Sequence, residues 1–223
     1  MLYFLNISNI LFLLKIILIG TIFPLIISGI SYIYMLIDFY YFRKDKNFKS
    51  KHILIFGGSS GLGESLVLRL SKQEVHLSIA SRTESKLKET QEKCLKINPK
   101  STYDYYIVDI TKENEINNCI EKSIQKWGFP SLIINCAGIV HPGFIDDMPM
   151  DTFIKDMNLN YFGNLKLLKE IINQYKLKKD IIKNNIIDIV CVGSCLGIIG
   201  SIGYTTYCPT KYALKGLLDS LRF

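Results

Sequence analysis

The sequence predicts an α/β protein, a doubly wound parallel sheet behind one N-terminal transmembrane helix, and three features of its 223 residues point there. Residues Ile16 to Ile37 carry no charge. Behind them, short apolar runs alternate with longer amphipathic stretches, the pattern of parallel strands joined by crossover helices. The first of those runs leads straight into a glycine-rich turn, Gly57-Gly58-Ser59-Ser60-Gly61-Leu62-Gly63. The expected organisation is a membrane anchor over 1–42, a basic juxtamembrane linker over 43–51, and a Rossmann-type domain over 52–223.

The uncharged stretch, IILIGTIFPLIISGISYIYMLI, is long enough for a bilayer core of about 30 Å, and Lys15 and Asp38 bracket it. It is too long for the core of a cleaved signal peptide, and no small-residue cleavage site follows. Phe39, Tyr40, Tyr41 and Phe42 read instead as an interfacial aromatic belt. Pro24 and Gly29 leave both a straight span and a kinked, re-entrant hairpin open. Arg43, Lys44, Lys46, Lys49 and Lys51 follow against one acid, Asp45, a bias that places everything downstream in the cytoplasm. Six cysteines without a CxxC pair or a histidine at metal-ligand spacing read as free thiols in a reducing compartment, with no metal site. The net charge of +7 comes from lysines scattered among acids, without the arginine clusters and aromatic interleaving of a nucleic-acid interface, so nucleic acid is not a partner.

His52 to Phe56 forms the first strand. Gly57, Gly61 and Gly63 after it allow the backbone to turn sharply and approach a pyrophosphate at the start of the next helix. The turn residues Gly57, Ser59, Ser60, Gly61, Leu62 and Gly63 are therefore candidate cofactor contacts. The second strand, Val75 to Ala80, ends in Ser81-Arg82 where an acidic residue would receive a ribose 2′-hydroxyl. Arginine there suits a 2′-phosphate and selects NADPH, unless it only caps a surface turn. Tyr103 to Val108 reads as the third strand, Lys112 to Trp127 as a helix, and Leu132 to Asn135 as the fourth strand.

Near the end of the chain, Ser194 follows a mostly apolar run, Ile186 to Val192, that reads as a buried strand. If the chain is helical from about Thr206, Tyr207 and Lys211 project from one face a turn apart. A fixed ammonium beside a phenol stabilises the phenolate and lowers its pKa from about 10, which makes the tyrosine a usable acid. A hydroxyl from Ser194 could then polarise a carbonyl that Tyr207 protonates. Cys195 and Cys208 adjoin these residues and read as packing, while His141 and Pro142, beyond the Asn135-Cys136-Ala137-Gly138 turn and near the expected cleft, are open to substrate contact but read first as an exposed loop.

The glycine turn, Asn135-Cys136-Ala137-Gly138 and the Ser194, Tyr207, Lys211 set together resemble the short-chain dehydrogenase/reductase family over His52 to Phe223. The resemblance implies that Asn135, Ala137 and Gly138 steady the central sheet and line the adenine ribose. It makes Asp109 an adenine-side contact, although an aspartate at a strand end is often an N-cap. It also makes Asn160 a fourth catalytic residue, held by a backbone distortion that keeps a water in a proton relay with the lysine. Phe56 departs from the family's usual threonine. The run GIIGSIGYTTYCPTKYALKGLLDSLR behind an N-terminal span further resembles the 3-ketodihydrosphingosine reductases, which face the cytosol on the endoplasmic reticulum and reduce a lipid-like ketone with NADPH. A membrane-anchored long-chain 3-ketoacyl-CoA reductase, a hydroxysteroid or retinol dehydrogenase, and a catalytically inactive nucleotide-binding membrane protein stay open. Family members often form homodimers through the helices after the fourth and fifth strands. The chain ends within the Tyr207 helix where the family continues with further strands. The expected sheet is therefore incomplete at its C-terminal edge, and the sequence a fragment or inactive as it stands.

Overall fold

The computed structural model describes residues 7–38, 48–179 and 187–221. Two compact units divide between Asn47 and Phe48.

The described residues of the first unit form one helix, α1 (Ile7–Ile37), which runs through Pro24 and Gly29 without folding back. This removes the hairpin from the two arrangements the sequence allowed. Leu11–Ile37 has a mean hydropathy of 2.5, so by length and composition the helix can cross a membrane. It begins well before Lys15, which therefore lies within the helix instead of ending it. The aromatic belt at Phe39 to Phe42 and the cations Arg43, Lys44 and Lys46 fall outside the described residues.

In the second unit β1 (His52–Phe56), α2 (Gly61–Leu70), β2 (His76–Ser81), α3 (Glu84–Ile97), β3 (Thr102–Ile107), α4 (Glu113–Trp127) and β4 (Leu132–Asn135) alternate. Next come α5 (Met150–Met157), a π-helical turn (Asn158–Gly163), α6 (Asn164–Leu177) and β5 (Asp188–Cys191). A 3-10 turn (Cys195–Gly197) and α7 (Tyr207–Ser220) close the described chain. The sheet is parallel in the order β3-β2-β1-β4-β5. Phe56 lies level with Ala80 on one side and Asn135 on the other, and Asn135 with Cys191. The strands thus end together where their order reverses, the place at which such sheets open a crevice.

Alternation along the strands divides the core. Leu54 and Phe56 of β1 pack with Ile116 and Ile120 of α4 and Leu167 of α6. Ile53 and Ile55 face the other way, toward Val67 of α2 and Leu87 of α3. Phe56 is completely buried, so this departure from the family's pattern fills the core beneath the glycine turn. One expectation changes. The run after Ile186 is strand only over Asp188–Cys191, and Ile189 and Val190 are 40% and 44% exposed. Among the described residues β5 pairs with β4 alone, so it is an edge strand and its apolar faces are only half covered.

At the opposite end of β1 from the glycine turn, buried His52 bridges three segments. Its Nδ1 lies 2.8 Å from the Gly128 carbonyl and its Nε2 2.9 Å from Ser78 Oγ. A carbonyl only accepts, so Nδ1 carries the hydrogen and Nε2 accepts from Ser78, which satisfies the neutral ring. Burial pushes the imidazole pKa from 6.5 down to about 4, with the Gly128 carbonyl opposing. The unfolded chain therefore binds a proton that the folded one refuses between those values. We predict that stability is complete above pH 6.5 and falls by about 3 kcal/mol as pH drops toward 4. Acid titration of the intact chain followed by circular dichroism measures this, and His52→Asn flattens the curve across the same window.

Candidate active site

The crevice is built on close backbone approaches. Gly57 turns at φ 73° directly after β1, and its N–H donates to the Ala80 carbonyl at 2.7 Å. A Cβ on Gly57 would lie 2.6 Å from the Ala137 nitrogen, and one on Gly63 would overlap the Gly57 carbonyl. Neither position admits a side chain, and their absence lets the β1 turn sit against the β4 turn. Asn135 braces that second turn through Oδ1, which accepts from Ala137 N at 3.0 Å. Over the two turns lies a cavity of about 380 Å³, which the first turn of α2 borders with Gly61, Leu62 and Gly63. Free helix N–H groups there favour an anion. Ser60 takes the extended N-cap position with no side-chain cap, while Ser59 Oγ hydrogen-bonds Ser81 Oγ at 2.6 Å and ties the turn to the end of β2.

Arg82 borders this cavity and a neighbouring one of about 510 Å³, the latter also lined by Asp109. Among the described residues neither Arg82 nor Lys86, one turn further along on α3, has a salt bridge. Asp109 is not the N-cap of α4, a position taken by Lys112. Its Oδ1 accepts from Thr111 N at 2.9 Å and Thr111 Oγ1 at 2.8 Å, a local turn that leaves Oδ2 for another partner. Burial opposes ionisation, but those two bonds and the nearby Arg82 and Lys112 cations hold the carboxyl below its ordinary value.

Tyr207 and Lys211 occupy the first turns of α7, as the spacing requires. Lys211 is only 5% exposed, with Nζ donating to the Val192 carbonyl at 3.0 Å and lying 5.6 Å from the centre of the Tyr207 ring. Burial lowers its pKa below the ordinary lysine value, and the Cys191 thiol opposes this. Gly138 brings the β4 turn to the same place, since a Cβ there would sit 3.3 Å from Asn160 Oδ1 and 3.8 Å from Lys211 Nζ. Ser194 ends the strand side, where its Oγ accepts from Leu196 N at 3.1 Å and caps the 3-10 turn.

Asn160 sits within the π-helical turn, so the backbone is irregular at the position where the resemblance implied a distortion. Its amide clamps Ile139, accepting from Ile139 N at 2.9 Å and donating to Ile139 O at 2.8 Å. The same Nδ2 reaches Thr210 Oγ1 at 3.1 Å, and Thr210 donates to the Tyr207 carbonyl at 2.7 Å. Asn164 Nδ2 donates to the Asn160 carbonyl at 2.8 Å, while its Oδ1 accepts from Asn135 Nδ2 at 2.7 Å. One buried chain of amides thus links β4, the π turn and α7.

The site residues expected from the sequence fall into two adjoining groups. Gly57, Ser59, Ser60, Gly61, Leu62, Gly63, Ser81, Arg82, Ala137 and Gly138 line the crevice at the glycine turn. Asn135, Asn160, Ser194, Tyr207 and Lys211 gather around the ends of β4 and β5 and the start of α7, while Asp109 lies in the second cavity. Sequence reading missed Asn164, Thr210 and Lys86. Asn164 is four residues after Asn160 and Thr210 stands between Tyr207 and Lys211, so both carried a spacing signal but no composition that set them apart from helix-surface polars.

Residues 51–223 match the family model for short chain dehydrogenase. Among similar proteins, 3-ketodihydrosphingosine reductase of Dictyostelium discoideum is 36% identical over 199 residues, covering 81% of this chain and 58% of that relative. The enzyme of the same name from Bos taurus is 30% identical over 174 residues, 77% of this chain and 51% of its own length. The chain thus spans little more than half the length of these relatives. The fold matches NAD+-bound xylitol dehydrogenase with a TM-score of 0.71 at 22% identity, covering 78% of this chain and 65% of the other. It matches actinorhodin polyketide ketoreductase with NADPH at 0.68 and 18% identity, covering 80% and 66%. With its family match reaching from β1 to the end of α7, this chain belongs to the short-chain dehydrogenase family.

Proposed function

We propose that this protein is a membrane-anchored reductase that uses NADPH to convert 3-ketodihydrosphingosine to dihydrosphingosine in sphingolipid synthesis, on the cytosolic face of the endoplasmic reticulum. The observation that carries the chemistry is the burial of Lys211 beside the ring of Tyr207, with Ser194 and the glycine cradle at the same strand ends. Similarity to 3-ketodihydrosphingosine reductases over about four-fifths of the chain supports the substrate. The apolar helix α1 gives that choice physical sense, because a ketone on a long alkyl chain partitions into a bilayer and is best met at its surface.

The crevice fits a nicotinamide dinucleotide: two positions where a Cβ would collide, a helix N-terminus free of side-chain caps, and polar groups at the end of β2. Gly57, Gly61 and Gly63 hold the pyrophosphate, Ala137 and Gly138 the adenine-side ribose, and Asp109 the adenine; Asn135, buried and with its amide bonded to Ala137 N and Asn164 Oδ1, steadies the turn and does not line the crevice. Arg82 at the end of β2 favours a 2′-phosphate, with Ser59 and Ser81 beside it, and this is the argument for NADPH. When bound, the cofactor supplies hydride to the carbonyl carbon. Tyr207 donates a proton to the oxygen on which charge develops, and Ser194 donates a hydrogen bond to the same oxygen. Lys211 stabilises the phenolate left behind and binds the nicotinamide ribose. Asn160, through its place in the amide chain, holds the relay that returns the proton. The basic run after α1 orients the domain to the cytosol, and a homodimer through the helices after the fourth and fifth strands accords with family habit.

Two outcomes are expected. The protein expressed from its full open reading frame, in liposomes, oxidises NADPH only when 3-ketodihydrosphingosine is added, and Tyr207→Phe lowers kcat by roughly a hundredfold or more. A folded protein without turnover on this ketone would refute the sphingoid assignment. Arg82→Asp weakens NADPH by about tenfold or more and narrows its advantage over NADH, read by quenching of cofactor fluorescence, because a carboxylate repels the 2′-phosphate.

A further inference from the structure

The carboxylate of Asp156 is completely buried, and Asp156 is the buried residue of α5. Its Oδ1 takes a 2.6 Å hydrogen bond from His141 Nδ1, while Oδ2 has no hydrogen-bond partner. A half-satisfied buried carboxylate destabilises a fold and is replaced at little cost by an apolar residue of similar size. Packing therefore gives no account of it, and what the bond holds in place is informative. His141 belongs to the segment after the β4 turn, and alternate residues of that segment are fastened to different parts of the site. At Ile139 both backbone groups bond Asn160. At His141 the side chain bonds Asp156, and the carbonyl accepts from Thr206 Oγ1 at 2.9 Å. At Gly143 the N–H donates to the Gly203 carbonyl at 2.8 Å. Thr206 is buried and directly precedes Tyr207.

We propose that Asp156 and His141 are a positioning pair for Tyr207: their bond fixes the strap 139–143, and the strap sets the first turn of α7 through Thr206. The path runs from α5 through the His141 side chain to its carbonyl, then through Thr206 Oγ1 to the residue adjoining the phenol. Neither member touches the reacting atoms. A shift of the first turn alters the separation of Tyr207 from Ser194, whose Oγ is held by Leu196 N, so its effect falls on the chemical step and not on cofactor or substrate affinity. The inference rests on the proposed reductase reading for its kinetic readout.

The decisive comparison is Asp156→Leu, which removes the bond and the unsatisfied oxygen together, in the intact protein in liposomes. The expected result is a fall in kcat of about tenfold or more with KM for ketone and NADPH little changed, and a thermal midpoint equal to or above that of the parent. His141→Leu behaves alike in kcat, and His141→Asn, which keeps an N–H donor where Nδ1 lies, recovers most of the loss. An unchanged kcat in folded Asp156→Leu overturns the proposal, as does a kcat loss matched by a lowered thermal midpoint. If the parent protein has no turnover with this ketone, the function reading fails. The inference is then decided by 13C NMR of the Tyr207 phenol: a titration displaced in Asp156→Leu supports the pair, and an unmoved one overturns it.

Discussion

The contact on which the site depends is the approach of two backbone turns, Gly57 after β1 and Ala137 after β4, with no room for a side chain between them. Parallel strands are held about 4.8 Å apart by their ladder. Where the order reverses between β1 and β4, the outgoing connections diverge to opposite faces and leave a crevice. Its floor exists only if the two turns can pack directly on each other. Gly57 meets this with a positive φ and no Cβ, and Asn135 holds the partner turn through Ala137 N. From that floor the glycine turn runs into α2 with its N–H groups facing the crevice, and Gly138 continues toward Asn160 and Lys211.

The second group is organised by buried polarity. Lys211, Asn160, Asn164 and Thr210 are all buried. Each has named partners, so the desolvation cost is offset by bonds that also fix orientation. The π turn is part of this arrangement, because it breaks the regular helical ladder and turns the Asn160 carbonyl toward the Asn164 amide. Lys211 stays near a phenol, a backbone carbonyl and a thiol, with no carboxylate to neutralise it among its described partners. In the proposed function, an ammonium held this way is the preorganised charge on which proton donation to a forming alkoxide would draw.

Membrane and site share one chemical logic in the proposed function. In that reading, a helix of bilayer length would keep the chain at a surface where long-chain ketones are concentrated, which would leave the crevice's polar groups to the dinucleotide and the carbonyl. The cysteines are free thiols, and burial pushes Cys94, Cys119 and Cys191 up to about 11, 12 and 11, which keeps them protonated and unreactive.

Much of this was legible before any coordinates. Strand and helix identities followed from apolar runs with short connections, and β1 and β4 matched their expected limits because Gly57 and the Asn135 turn stop them abruptly. Tyr207 and Lys211 could be placed on one face because helical geometry alone dictates it. Local sequence determined these features because each depends on neighbours a few residues away. Tertiary structure decided the rest. Only packing at the sheet edge shows that Ile189 and Val190 are half exposed, and only the assembled fold brings Asn164 to Asn135, His141 to Asp156, and Thr206 to His141. These bonds join residues separated by up to 65 positions, and nothing in a helix-surface asparagine or a loop histidine announces its partner. Periodicity determines which face a side chain takes, while the register of one element against another, which no local pattern encodes, determines what it meets there.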